Sequence, residues 1–432
     1  MSPEAETVLH INNITKTFSK PGGGLSTVFE NISLTVGPHE IVGILGRSGS
    51  GKSTLLRIIA GLIKPNAGEV MYRGQSIKGP VDGIAMVFQT FALFPWMTVL
   101  ENVEVGLEAR NISPGELRSR SLRAIDLIGL DGFEAAYPKE LSGGMRQRVG
   151  FARALVVNPD LLLMDEPFSE LDVLTAETLR LDFLDLWIAG KMSPRAAVLV
   201  THNIEEAILL CDRVLVISGK PARITSSIPV TLSHPRDRLS REFRSLVDQI
   251  YSIMTAKPKI VQGNGKLSVA AFTERLPPVS TNQMSGLLEA LASTGVEGKA
   301  DLPHLAASLH LKTEELLLVA ESLDLLGFAE IRDGDLHLSA AGKSFVDADI
   351  LARKKIFAEH LIRAVPLASH IRRTLDNESG HTANRERFLQ YLSRDLTTEE
   401  SEIVLNIVIG WGRYAELYSY NERTDTFNLE NP

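Results

Sequence analysis

The fold is indicated first by residues Gly46-Arg47-Ser48-Gly49-Ser50-Gly51-Lys52-Ser53, which fit the template G-x-x-x-x-G-K-[ST]. This stretch lies between residues 42–45, whose apolar run predicts a buried strand, and residues 52–62, whose apolar positions recur at helical spacing. The glycines let consecutive N–H groups point at phosphate oxygens, and the helix adds the positive end of its dipole. We therefore predict that this loop, with Thr54, binds the phosphates of ATP. Lys52 would place its charge at the β- and γ-phosphates, and Ser53 would ligate Mg²⁺.

A second motif, Leu161-Leu162-Leu163-Met164-Asp165-Glu166, is an apolar strand that ends in two carboxylates. Alone it indicates little, because many strands end in acidic residues. Downstream of a phosphate-binding loop it predicts that Asp165 holds Mg²⁺ through water. Glu166 would then polarise the attacking water as the catalytic carboxylate, since phosphoryl transfer needs an oriented nucleophile.

A third motif, Leu141-Ser142-Gly143-Gly144-Met145-Arg146-Gln147-Arg148, resembles the signature of ABC ATPases. Ser142 is expected to cap a helix whose glycine-bearing N-terminus can approach a γ-phosphate. The resemblance implies that Ser142, Gly143 and Gly144 contact ATP held by an opposite subunit, so that a homodimer shares its two ATP sites. The family usually has Gln where Met145 stands.

The remaining motifs occur in the order that the resemblance implies. Gln89 matches the glutamine that contacts Mg²⁺ and water, and His202 matches the histidine that reaches the γ-phosphate. Ser169-Glu170-Leu171-Asp172 matches the D-loop, with Glu170 where Ala is more common. Phe18 fits the aromatic residue that stacks on adenine, and core packing is its alternative.

The aromatic residues after Gln89 indicate the class of ABC protein. In ABC importers the stretch corresponding to Phe91-Ala92-Leu93-Phe94-Pro95-Trp96 receives a coupling helix of the permease, and core packing is the alternative here. Together with Thr201-His202-Asn203-Ile204-Glu205-Glu206-Ala207, this region resembles the nitrate, sulfonate, taurine and bicarbonate importer ATPases. The resemblance implies uptake of a small anionic solute through a separate permease, with an extracytoplasmic solute-binding protein as an indirect partner. An ABC ATPase of another importer class is the alternative.

Length and composition predict a two-domain protein on the cytoplasmic face of a bacterial membrane. The chain has 432 residues, a net charge of −8 and one cysteine, Cys211, which we expect to be a small buried apolar residue. Neither a signal peptide nor an apolar stretch of membrane-spanning length is evident, so membrane association is expected through a partner. We predict an α/β ATPase domain at residues 1–230 with a mostly parallel core sheet, an antiparallel edge and a helical subdomain. A helix and linker at 231–267 would follow.

Residues 268–432 predict a mainly helical domain that begins as a winged helix. Helices at 282–294, 301–310 and 313–326 precede strands at 328–332 and 335–338, joined by the hairpin dipeptide Asp333-Gly334. Further helices are predicted at 339–364, 385–394 and 399–415. DNA binding is disfavoured because the third helix carries Glu314, Glu315, Glu321 and Asp324. Regulation or stabilisation of a dimer is the preferred role, with binding of an effector or another protein as the alternative.

Overall fold

The computed structural model describes residues 7–19, 25–47, 49–108, 110, 112–255, 276–294, 298–309, 311, 313–332, 334–378, 380–393 and 396–429. Ser48, residues 256–267 of the predicted linker, Lys312 and Asp333 lie outside these ranges, as does the side chain of Glu314. The chain divides into two compact units, the first ending at Met254 and the second beginning at Thr255.

The first unit contains two sheets and the helices that cover them. Its strands are β1 (Leu9–Ser19), β2 (Leu25–Val36), β3 (Glu40–Gly46), β4 (Ala67–Tyr72), β5 (Gln75–Ser76), β6 (Ile84–Val87), β7 (Leu161–Asp165), β8 (Ala196–Thr201), β9 (Arg213–Ser218) and β10 (Arg223–Pro229). Its helices are α1 (Lys52–Ile59), α2 (Val99–Glu108), α3 (Pro114–Leu127), α4 (Gly143–Leu155), α5 (Val173–Ile188), α6 (Ile204–Leu210) and α7 (Arg241–Thr255), with a 3-10 turn at Pro138–Glu140.

The core sheet has the order β10-β9-β3-β8-β7-β6 and is parallel except for β10. Strands β7 and β8 are buried along their whole length, as expected for parallel strands covered on both faces. A second, antiparallel sheet has the order β2-β1-β4-β5, and α2, α3 and α4 pack together as the helical subdomain. The predicted α/β class with its antiparallel edge is therefore confirmed.

Strand alignment in the core sheet brings three loops to one edge. Leu45 of β3 pairs with Thr201 of β8, and Asp165 of β7 pairs with Val200 of β8. Because parallel strands share their carboxyl edge, the glycine-rich loop, Glu166 and His202 all begin there. The site follows from this register.

The first helix is shorter than predicted. Helix α1 ends at Ile59 instead of continuing to residue 62, because Gly61 adopts φ 74° and ends the helix. The Gly61 amide donates to the Ile58 carbonyl, and the Leu62 amide donates to the Arg57 carbonyl. The predicted hairpin turn at Arg73-Gly74 joins β4 to β5, with both residues at positive φ.

The second unit is mainly helical. Its elements are α8 (Thr281–Thr294), β11 (Lys299–Asp301), α9 (Leu302–Leu309), α10 (Thr313–Leu326), β12 (Ala329–Arg332), β13 (Asp335–Leu338), α11 (Ala340–Asp347), α12 (Ile350–Ala364), α13 (Pro366–Asn377), β14 (Thr382–Asn384), α14 (Arg385–Leu392), α15 (Thr398–Tyr414), β15 (Ser419–Asn421) and β16 (Thr426–Asn428). The three helices and two strands expected at its start are present, and β11 extends their sheet to β11-β13-β12.

Two parts of the second unit differ from the sequence prediction. The single helix predicted at 339–364 is two helices, because Ser339 caps α11 and Asp349 caps α12 with side-chain hydrogen bonds. Helix α13 and the sheet β14-β16-β15 were not predicted. The core of the unit includes Phe328, Phe357 and Trp411, whose indole donates to the Val279 carbonyl at 2.7 Å.

Cys211 is fully buried in the first unit, as predicted. Across the part of the chain that the structure describes, no helix is long and apolar enough for a membrane span.

Candidate functional site

The loop between β3 and α1 has the backbone conformation that its glycines permit. Gly49 and Gly51 adopt φ 75° and 87°, in the left-handed region that favours glycine. A Cβ atom on Gly51 would lie 2.4 Å from Cγ1 of Val28, so no side chain fits at this position just before α1. At Gly49, by contrast, an added Cβ atom would meet no described atom within 4 Å.

The side chain of Lys52 lies inside this loop. Its ammonium donates to the carbonyls of Gly46 and Arg47 at 2.8 and 3.0 Å and lies 3.7 Å from Oε1 of Glu166. The side chain is only 4% exposed. The hydroxyl of Ser50 is buried and has no hydrogen-bond partner among the residues that the structure describes. A buried cation beside an unsatisfied hydroxyl fits a site for an anionic group such as a phosphate.

Ser53 meets Asp165 across the site. The Ser53 hydroxyl donates to Oδ1 of Asp165 at 2.8 Å. Burial, aided by the charge of Glu166, raises the pKa of Asp165 above its usual value. A hydroxyl and a carboxylate oxygen at this separation are hard ligands of the kind that Mg²⁺ prefers, so the donor set fits that ion.

Glu166 lies at the centre of the cluster. Its Oε2 lies 2.9 Å from Nδ1 of His202, and its backbone adopts φ 46°, which is uncommon for a residue with a side chain. Burial raises its pKa, but the hydrogen bond with His202 and the charges of His202 and Lys52 together outweigh that effect and lower it. Glu166 is therefore ionised and oriented by two fixed groups.

The residues of the signature-like motif begin helix α4. The hydroxyl of Ser142 accepts from the Met145 amide at 3.2 Å, which is the predicted helix cap. A Cβ on Gly144 would lie 2.3 Å from Cγ2 of Thr175, so this glycine allows α4 and α5 to approach closely. Gly143 is half-buried, and a Cβ atom on it would lie 3.4 Å from Cδ2 of Leu171 in the D-loop.

The other predicted ATP-site residues make separate contacts. Gln89 follows β6, and its amide donates to Glu170 at 3.5 Å. Phe18 is 42% exposed with the Lys16 ammonium 4.8 Å from its ring centre, so it is not a core residue. Arg47 is exposed, and Thr54 is half-buried on α1. The structure thus brings Lys52, Ser53, Asp165, Glu166 and His202 into one cluster, whereas the contacts observed for Gln89 and Ser142 lie outside it.

An exposed aromatic turn follows Gln89. Trp96 is 69% exposed, and its ring centre lies 5.6 Å from that of Phe94. Exposure of this size contradicts core packing for Trp96, whereas Phe94 is half-buried. Arg153 donates to the carbonyls of Phe91 and Ala92, both of which adopt positive φ. The turn is a surface feature held in a defined shape.

Asn102 is the residue that sequence reasoning missed in this region. It is fully buried; its side-chain oxygen accepts from the Phe94 amide, and its nitrogen lies within 3.1 Å of the carbonyls of Phe94, Met97 and Thr98. The available signal was an amide side chain among the apolar residues Val99, Leu100, Val103 and Leu107, which recur at helical spacing in α2. It fixes the aromatic turn from beneath.

Comparisons with known proteins agree with this geometry. Residues 29–169 match the family model described as ABC transporter, and residues 303–421 match the C-terminal AAA-associated domain. The chain is 43% identical over 246 residues to an uncharacterized ABC transporter ATP-binding protein of Methanocaldococcus jannaschii, covering 57% of this chain and 91% of that protein. It is 39% identical over 258 residues to the nitrate import ATP-binding protein of Synechocystis, covering 58% of this chain and 96% of that protein.

A third relative is the aliphatic sulfonates import ATP-binding protein of Bacillus subtilis. The identity is 40% over 230 residues, covering 53% of this chain and 88% of that protein. These relatives are matched over most of their length, and the ABC transporter match spans the glycine-rich loop, Asp165 and Glu166. The chain therefore belongs to the ATP-binding proteins of ABC transporters and is an ATPase of that family.

Proposed function

We propose that this protein hydrolyses ATP to energise an ABC importer that takes up a small anionic solute through a separate permease. The observation that carries the proposal is the cluster at the carboxyl edge of the core sheet. There Ser53 contacts Asp165 at 2.8 Å, and Glu166 contacts His202 at 2.9 Å. Two relatives are named for import of nitrate and of aliphatic sulfonates, which supports a solute of that class.

We propose a step in hydrolysis for each residue of the cluster. Lys52 would exchange the carbonyls of its own loop for phosphate oxygens of ATP. Glu166, kept ionised by its neighbours, would accept a hydrogen bond from the attacking water and align it with the γ-phosphate. His202 would orient Glu166 and reach the γ-phosphate. Mg²⁺, when bound at Ser53 and Asp165 with Gln89 nearby, would neutralise charge on the β- and γ-phosphates.

A second copy of the chain would complete each ATP site. The N-terminus of α4, capped by Ser142 and bearing Gly143 and Gly144, presents backbone N–H groups to an anion. Residues 46–54 would hold ATP from one side, with Phe18 against adenine, and α4 of the second copy would close the other side. The proposed assembly is thus a homodimer with two shared sites.

The exposed turn from Phe91 to Trp96 is proposed as the contact with the permease. Exposed aromatic side chains on a fixed backbone are the usual anchors for a partner helix. This contact would hold the protein on the cytoplasmic face of the membrane as a peripheral subunit. An extracytoplasmic binding protein would deliver the solute to the permease and contact this chain only indirectly.

For the second unit we propose regulation of the ATPase or stabilisation of its dimer. Helix α10 buries Leu316, Leu317 and Leu323 and leaves Glu315 exposed, so its accessible face offers nothing positive to DNA phosphates. Two basic residues of α12 pair within the unit, Arg353 with Glu289 and Lys354 with Glu416. We retain the domain limits 1–230, 231–267 and 268–432 as part of this proposal.

The roles in hydrolysis can be separated by substitution. His202→Ala should lower kcat at least about a hundredfold, the scale of a lost positioning or acid–base contribution, while ATP affinity is retained. Lys52→Ala should weaken ATP binding itself, because the buried charge that meets the phosphates is lost. Steady-state ATP hydrolysis and calorimetric ATP binding by both variants test the assignment. Unchanged turnover by the His202 variant would contradict it.

A further inference from the structure

The segment that follows β10 grips helix α6 at its C-terminal end. Arg236 lies in the stretch assigned to the linker, yet its side chain is only 1% exposed. It donates to the carbonyls of Ile208, Leu209 and Cys211 at 2.5, 3.2 and 2.7 Å. These carbonyls have no acceptor role within a helix that ends at Leu210, so Arg236 satisfies them and fixes that end of α6.

The same segment reaches the first turn of α6 through Arg238. One nitrogen of Arg238 donates to Glu177 of α5 at 2.7 Å, and another lies 3.7 Å from Glu205 of α6. Glu177 also accepts from Arg180 at 3.3 Å, and Arg180 donates to the buried Glu206 at 2.7 Å. A continuous network of charges thus joins the linker, α5 and the start of α6.

Helix α6 begins two residues after His202, with Asn203 between them. Asn203 caps α6 by accepting from the Glu206 amide at 3.0 Å, and its own amide donates to Thr201 at the end of β8. His202 therefore stands between a strand end and a capped helix start, and its 2.9 Å contact with Glu166 depends on where α6 begins. A side chain that holds α6 also sets the position of His202.

We propose that Arg236 and Arg238 are positioning residues for hydrolysis, which clamp both ends of α6 and so hold His202 against Glu166. The inference rests on the proposed function of His202 and deepens it. Arg236 secures the end of α6 far from the site, and Arg238 secures the turn next to His202. The segment from Leu232 to Arg238 thereby serves hydrolysis as well as connecting the ATPase domain to the second unit.

Arg238 gives the cleaner test, because removing the buried Arg236 leaves several carbonyls unsatisfied and endangers folding. In the full-length chain, Arg238→Ala should lower kcat about tenfold and leave the KM for ATP within about twofold, since sub-ångström misplacement of a catalytic group acts on the chemical step. Arg238→Lys keeps one charge but cannot bridge two carboxylates, and should recover part of the loss. Arg120→Ala, which breaks the Arg120–Glu116 ion pair on α3, is the matched control.

A double-mutant cycle identifies the contact responsible. Glu205→Gln should lower kcat in the same direction, and the Glu205→Gln, Arg238→Ala pair should be little worse than Arg238→Ala alone. A kcat for Arg238→Ala equal to that of Arg120→Ala would overturn the inference. So would an Arg238→Ala variant that loses kcat and ATP affinity to the same extent and melts at a lower temperature, because that result indicates general destabilisation. If His202→Ala kept full turnover, the proposed role of His202 would fail and this inference with it. An inactive His202→Ala beside a fully active Arg238→Ala would overturn the clamp alone.

Discussion

The structure predicts that Asn102, which lies beneath the aromatic turn, stabilises the ATPase unit and shapes its proposed docking surface. Asn102→Ala removes an acceptor for the Phe94 amide and two N–H groups shared among three carbonyls. Two of those carbonyls, of Phe94 and Thr98, keep backbone donors in the variant, because the amides of Met97 and Asn102 bond to them. The variant thus loses about three hydrogen bonds, one accepted by the side-chain oxygen and two donated by its N–H groups. At about 1 kcal/mol each, the free energy of unfolding should fall by about 3 kcal/mol.

Urea denaturation of the full-length protein, followed by tryptophan fluorescence, measures this loss. Trp96 and Trp187 report on the first unit and Trp411 on the second, so Trp411→Phe supplies a background in which only the first transition is observed. The control is Asn66→Ala, the same substitution at an exposed residue whose side chain accepts one bond, from the Thr17 amide. It should cost below about 1 kcal/mol. An equal loss of unfolding free energy for the two substitutions would contradict the hydrogen-bonding role assigned to Asn102.

The remaining predictions concern the metal pair, the aromatic turn and the second unit. Ser53→Ala removes one oxygen of the Ser53–Asp165 pair. It should raise the Mg²⁺ concentration needed for half-maximal ATP hydrolysis about tenfold. An unchanged Mg²⁺ titration would contradict the proposed role of Ser53 as a Mg²⁺ ligand. Trp96→Ala should reduce recovery of the chain with its permease while leaving ATP affinity unchanged, whereas Phe133→Ala, at another exposed aromatic residue, should change neither. A chain that ends after Thr255 should fold and hydrolyse ATP, but at an altered rate or with altered dimerisation. Identical turnover, dimerisation and transport would remove the regulatory role proposed for the second unit.

Much of the catalytic cluster could be predicted because its chemistry is local in sequence. A loop that wraps phosphate needs glycine at fixed positions, and β3, β7 and β8 are apolar runs that end directly before functional residues. Once those strands are parallel and adjacent, their register alone brings Ser53, Asp165, Glu166 and His202 together. Periodicity likewise located α8, α9 and α10 to within a residue or two.

The features that the sequence did not predict are set by hydrogen-bonding needs of the folded backbone and by short elements, which apolar periodicity does not record. Asn102 and Arg236 are polar side chains that are buried because nearby backbone groups need hydrogen-bond partners. No apolar pattern in the sequence indicates that need. Asp349 is a good helix cap and marks the start of α12, just as Ser339 marks the start of α11. Helical periodicity nevertheless runs through the break between the two helices. Strands β14, β15 and β16 have three residues each, too few for an alternation to be recognised.

The central claim is that two copies of this chain close on ATP and that Glu166 then activates water. Glu166→Gln keeps the shape of the side chain and its reach to His202 but removes the charge that aligns the water. Sedimentation of this variant with ATP and Mg²⁺, with turnover measured on the same sample, tests the claim directly. We expect an ATP-dependent dimer that holds two nucleotides and turns over at least about a hundredfold more slowly than the unaltered protein. A variant that stays monomeric with ATP bound, or that hydrolyses ATP at the original rate, would contradict it.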